Sequence, residues 1–112
     1  MLSNKVKDLL ELEPKKVYVP SICFWEIVIS AQRGRLKIGS ERPDTFARSL
    51  LVRSGFTEVV MNSEIAILSR TLDFVHEDPA DRFIAATAKH LNMPLATVDP
   101  NLTRLPWLST IS

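Results

Sequence analysis

Cysteine occurs once in this 112-residue sequence, glycine three times and histidine twice, and each scarcity closes off a class of function. One cysteine forms no internal disulfide, and no Cys or His residues stand at zinc-ligand spacing. Three glycines build no Gly-rich phosphate loop, and no serine sits in a nucleophile elbow. A formal charge of +1, from 14 basic and 13 acidic side chains, gives no bulk attraction to nucleic acid or to a membrane surface. Long apolar runs are missing too. The longest, 22–31, is broken by Glu26 and is too short to cross a bilayer, and no basic-then-apolar leader opens the chain. The expectation is a cytoplasmic protein with no membrane association. A hydrophobic share of 46% with 24% charged residues suits one packed domain over residues 1–112.

What is present is a regular alternation of periods. Val6, Leu9, Leu10 and Leu12 give an apolar face at helical spacing over 2–12, and Pro14 ends it. Val17, Tyr18 and Val19 read as a short buried strand closed by Pro20. Ser21 follows as the expected N-cap of a helix from Ile22 to near Gly34, apolar over most of its surface and therefore expected to be largely buried. After a loop at 36–42, Pro43 opens a helix whose inner face is Phe46, Leu50 and Leu51, and Gly55 stops it. Residues 56–61 read as a second strand, and Asn62 caps a helix through Ile65, Ile67, Leu68 and Leu72. Asp78 as N-cap, Pro79 at the first position and Asp81 at the third begin a helix over 79–91, which Asn92 and Pro94 end. An apolar strand over 95–98 then terminates on Asp99 and Pro100. Strands separated by helices predict an α/β fold, a parallel sheet covered by helices.

Few residues in this pattern are available for chemistry. Glu26 stands inside Phe24-Trp25-Glu26-Ile27-Val28, where a carboxylate is either on a wet stripe, paired to an arginine such as Arg33 or Arg82, or functional. Asp99 follows an apolar strand, which is where ligands bind in open α/β sheets, although aspartate before proline is also a plain turn former. Asp78 and Asp81 share a helix start, and capping accounts for one of them without any function. Arg82 beside them reads as a phosphate contact or as a solvated partner. His76 and His90 have no acid or thiol at ligand or triad spacing and read as surface or loop residues. Cys23, within Ile22-Cys23-Phe24-Trp25, reads as a buried structural thiol. Carboxylates gathered from separate elements, without His or Cys, make the hard oxygen environment that Mg²⁺ or Mn²⁺ prefers, and such a site suits phosphodiester hydrolysis.

The ordered series 17–21 leading to Trp25-Glu26-Ile27, then Asp78-Pro79-Ala80-Asp81-Arg82-Phe83-Ile84-Ala85-Ala86, then Leu95-Ala96-Thr97-Val98-Asp99, resembles the PIN-domain ribonucleases, specifically VapC-type toxins of toxin-antitoxin pairs. Gly34-Arg35-Leu36 and Gly55-Phe56 fall where that family places similar residues. The resemblance implies a Mg²⁺- or Mn²⁺-dependent endoribonuclease that cuts structured RNA, usually transfer or ribosomal RNA, and is silenced by a cognate antitoxin. It makes Glu26, Asp81 and Asp99 the metal ligands, Asp78 a supporting acid and helix cap, and Thr97 a supporting hydroxyl. One departure stands beside these matches. Family members begin with an apolar strand ending in an aspartate, and the present sequence begins at the helix that follows it, so an N-terminally truncated sheet is expected. Asp8, on the polar face of a helix, does not replace that aspartate. Two readings follow: an active toxin nuclease, or a catalytically impaired module that binds an antitoxin or a sister subunit. Apolar helix surface together with an open sheet predicts a homodimer.

Overall fold

The computed structural model describes residues 3–74 and 77–112, so Leu2 of the expected first helix and His76 lie outside the described residues. Helix α1, Asn4–Leu12, starts where the Ser3 hydroxyl accepts a hydrogen bond from the Val6 amide at 3.3 Å. Pro14 then opens a 3₁₀ turn, Pro14–Lys16, that leads into strand β1, Tyr18–Pro20. Helix α2, Ile22–Gln32, and helix α3, Pro43–Ser54, pack on each other before strand β2, Thr57–Val59. Gly55 ends α3 in the left-handed region at φ 73°, where a Cβ would also meet the Pro14 ring at 3.4 Å. Helix α4, Ser63–Thr71, is capped as expected, the Asn62 side-chain oxygen accepting from the Ile65 amide at 2.9 Å. Helix α5, Pro79–Leu91, carries the expected Asp78 cap.

The chain closes with strand β3, Leu95–Ala96, helix α6, Pro100–Thr103, and strand β4, Thr110–Ile111. Among the described residues the strands form two parallel ribbons. In one, Tyr18, Val19 and Pro20 pair with Thr57, Glu58 and Val59. In the other, Leu95 and Ala96 pair with Thr110 and Ile111. The α/β class with parallel strands and covering helices therefore stands.

Helix α5 is the axis of the packing. Its buried residues include Ala80, Ala85, Ala86, Thr87 and Ala88, all small, which lets α4 and α2 pack closely against it. Ala85 and Ala88 join Leu102, Leu105 and Leu108 in the core cluster, with Phe74, Leu95 and Trp107 packed around it. Each leucine of that cluster comes from the stretch after Asp99, where local sequence pattern predicts no element.

Several local expectations need correcting. Ser21 does not cap α2: it has helical backbone angles and no side-chain cap. Its hydroxyl instead reaches across to β2, donating to Glu58 Oε2 at 2.7 Å and lying 3.2 Å from the Val59 carbonyl. Helix α2 is not largely buried either; none of its residues is fully buried and Trp25 is 56% exposed. Apolar residues all round a helix demand cover, and α3 and α5, with β1, supply part of it. The strands are shorter than their apolar runs, with Val60, Met61 and Val98 beyond the ladders and exposed.

Candidate active site

A cleft of about 490 Å³ lies between the two ribbons, lined by β1 and β3, by α1 through Val6, Leu9 and Leu10, and by one stripe of α5. That stripe is Asp81, Ile84, Thr87, Ala88 and Leu91, the i, i+3, i+7 recurrence of a single helix face. Its one charged member stands in the first helical turn. At the other end of α5, Asn92 takes φ 54° and the Met93 amide donates to the Ala88 carbonyl at 3.0 Å, a Schellman turn that reverses the chain into β3. The reversal brings the residues after β3 back toward the start of α5, and Asp99 lines the same cleft as Asp81.

Asp99 is held by its neighbours. Its backbone amide donates to Thr97 Oγ1 at 3.1 Å, and its own Oδ1 accepts from the Asn101 amide at 2.9 Å as the N-cap of α6. Thr97 lines the cleft as well, so the expected supporting hydroxyl orients the backbone that carries the carboxylate. Asp78 serves α5 as cap, its Oδ1 accepting from the amides of Ala80 at 3.0 Å and Asp81 at 3.3 Å. The two aspartates at this helix start, which the sequence left undivided, thus separate: Asp78 closes the helix and Asp81 meets the cleft.

Glu26 is half-buried on α2, one turn beyond Cys23, and is not among the side chains that line the cleft. Cys23 does line it. Burial foremost, then the Glu26 charge, push the Cys23 thiol up to about 11, so the thiol is half-buried, protonated at neutral pH and a poor nucleophile. Among the described residues, no three His, Cys, Asp or Glu side chains stand close enough to hold one metal ion together. Two carboxylates share the cleft, and the third is a turn away from it.

Arg82 is 6% exposed and so turns inward: its Nε donates to the Ser69 carbonyl at 2.8 Å, its Nη1 donates to Glu77 Oε1 at 3.5 Å, and its guanidinium lies 4.5 Å from the Phe74 ring centroid. Phe74 in turn meets Trp107 edge to face at 5.1 Å. The guanidinium thus serves the helix packing. His90 is exposed on the outside of α5, its Nε2 lying 3.4 Å from the Asn62 side-chain nitrogen. Glu58 is a further acid, on β2 beside Ser21, and only the strand register reveals that neighbour.

In type, Asp81 and Asp99 fit a hard divalent cation, since Mg²⁺ is commonly held by one or two carboxylates with water and phosphate oxygens completing the shell. In number they fall short of the expected three. No helix among the described residues is long and apolar enough to cross a membrane. Among curated proteins none matches the chain. The family profile of the PIN domain matches residues 2–108. PIN domains are RNA-acting nuclease folds and generally use divalent metal ions. With the match running over nearly all of its length, and with parallel strands under helices as its architecture, the chain belongs to the PIN-domain family.

Proposed function

We propose that this PIN domain is a metal-dependent endoribonuclease of the VapC type, the toxin of a toxin-antitoxin pair, acting on structured RNA such as transfer or ribosomal RNA. The observation that carries the reading is that Asp81 and Asp99 line one cleft, with the Asp99 backbone pinned by Thr97. Asp81 and Asp99 would hold Mg²⁺ or Mn²⁺, and Glu26 would join them from α2. When bound, the ion supplies an activated water and charge neutralisation at a phosphodiester. The chain itself contributes position. The Asp78 cap and the Thr97 hydrogen bond fix the backbone at both carboxylates, so neither has to be ordered when RNA arrives.

A second reading is favoured by the lack of a three-carboxylate group among the described residues. In it the chain binds RNA, an antitoxin or a sister subunit without cutting. Incubation of purified protein with total transfer RNA and ribosomal RNA separates the two, with Mg²⁺, Mn²⁺ or chelator as the only variable. Site-specific cleavage that chelator abolishes supports the nuclease. Retention of RNA or antitoxin with no cleavage in either metal supports the binding module.

A further inference from the structure

At the end of α5 far from Asp81, a second and smaller hollow of about 200 Å³ opens on the surface, and Trp107 lines it. The indole is held at two points. Its Nε1 donates to the Asp73 carbonyl at 2.8 Å, and its ring meets Phe74 edge to face, with centroids 5.1 Å apart and planes at 81°. Phe74 lies in turn against the buried Arg82 guanidinium, so the ring that orients the indole is itself fixed. The one polar atom of Trp107 is thus satisfied within the protein. What the half-buried side chain still offers to the hollow is ring surface, already set in place.

Three exposed polar side chains share the lining: Lys89, Asn92 and Ser109. Among the described residues, none of the three spends its side chain on a hydrogen bond or an ion pair. Their backbones, in contrast, are tied down. Lys89 is in the last turn of α5, the Asn92 amide donates to the Lys89 carbonyl at 3.0 Å, and the Ser109 carbonyl accepts from the Leu95 amide at 2.8 Å. An ammonium, a carboxamide with both donor and acceptor, and a hydroxyl therefore stand around a fixed aromatic surface. That combination matches a planar base that carries a phosphate: the ring stacks on the indole, the base edge pairs with Asn92 and Ser109, and the phosphate meets Lys89. At less than half the volume of the main cleft, the hollow suits a single base.

We propose that this hollow is an RNA subsite that takes one unpaired nucleotide, its base stacked on Trp107. Ala88, Met93 and Pro94 line both the hollow and the main cleft, so a single strand passes from one to the other over the turn that follows α5. From Asp81 to Ala88 is about 10 Å along the helix, a short length of strand. The subsite selects loops, bulges and ends, because a base inside a duplex has no free face to stack. Its place in cleavage rests on the ribonuclease reading; nucleotide binding itself needs no cleavage.

The probe is adenosine 5′-monophosphate (AMP) in the presence of chelator, with ribose 5-phosphate as the control that lacks a base. The sequence has two tryptophans, so an NMR spectrum of nitrogen-bound protons gives two indole signals, assigned with Trp25→Phe. AMP should shift the Trp107 signal saturably and leave that of Trp25 in place, while ribose 5-phosphate moves neither. A single-stranded adenine hexanucleotide should shift the Trp107 signal at lower concentration than AMP. Lys89→Gln and Asn92→Gly should each raise the AMP dissociation constant about three- to fivefold. Glycine accepts the left-handed backbone that Asn92 holds at φ 54°, so the second variant keeps the turn. A Trp107 signal unmoved by AMP, moved equally by ribose 5-phosphate, or moved by AMP and not by the hexanucleotide overturns the subsite, whether or not the protein cuts RNA. Affinity indifferent to both substitutions overturns it as well. The full set of expected responses in a protein that cuts no RNA with Mg²⁺ or Mn²⁺ leaves the subsite standing and overturns the nuclease reading instead.

Discussion

Arg82 Nε donates to the carbonyl of Ser69 at 2.8 Å, and both residues are buried, so a guanidinium on α5 satisfies a carbonyl in the last turns of α4. Such carbonyls have no partner within their own helix, and a cation there also meets the negative end of the helix dipole. Arg82→Ala leaves the carbonyl buried without a partner and opens space beside Phe74. The expected loss is about 3 kcal/mol, with Arg82→Lys intermediate because ammonium lacks the planar stacking face. Urea unfolding, read as the midpoint at constant slope, checks the order wild type, Lys, Ala.

Thiol chemistry reports the cleft directly. With the Cys23 pKa near 11, alkylation of the folded protein should be slow at pH 8 and keep accelerating up to about pH 11. An ordinary exposed thiol levels off about two units earlier. Glu26→Gln removes the smaller of the two causes, so the rate profile should move modestly toward lower pH. A profile that stays in place would mean that burial alone sets the shift.

Charge-removing substitutions in the acids have separable outcomes. Asp81→Asn and Asp99→Asn should each abolish metal-dependent RNA cleavage while keeping the fold, since asparagine also caps α6 and the α5 cap belongs to Asp78. Glu26→Gln should do the same if its carboxylate joins them. Asp78→Ala, in contrast, should cost about 1 kcal/mol of stability through the lost cap. Cleavage assays beside thermal melts distinguish the two kinds of loss.

Self-association is expected from the uncovered part of α2. Trp25 is 56% exposed on a helix with scarcely any polar surface, and a two-fold pairing would bury it. Light scattering at micromolar concentration should return the dimer mass, and Trp25→Glu should return the monomer. A monomer mass for the wild type would show that α2 tolerates its exposure.

Much of this was legible in the sequence, and the misses share a cause. Capping and helix stops depend on neighbours in the chain, so Asp78-Pro79, Asn62 and Gly55 were readable from local order. Ser21 looked like an equally good cap, but its hydroxyl answers to a strand 38 residues away. Arg82 looked solvated because its carbonyl partner lies 13 residues back. That Asp81 and Asp99 line one cleft needed only the helix stripe and the strand end, whereas the place of Glu26 outside its lining depends on how α2 seats on α5. The leucines at 102, 105 and 108 carry an i, i+3 spacing, yet only Leu102 lies in an element, the four-residue α6, so no regular pattern marks the other two as core.

The location of that core has a kinetic consequence. Ala85, Ala88, Leu102, Leu105 and Leu108 are close in sequence, and α4 precedes α5 directly, so the C-terminal half closes through short loops. The β1–β2 ribbon instead joins residues 39 positions apart, such as Tyr18 and Thr57. Closing the larger loop costs more entropy before any contact rewards it. The residues that pack α5 against the C-terminal leucines should therefore govern how fast the chain folds, and the β1–β2 pairing, formed late, should govern how fast it unfolds.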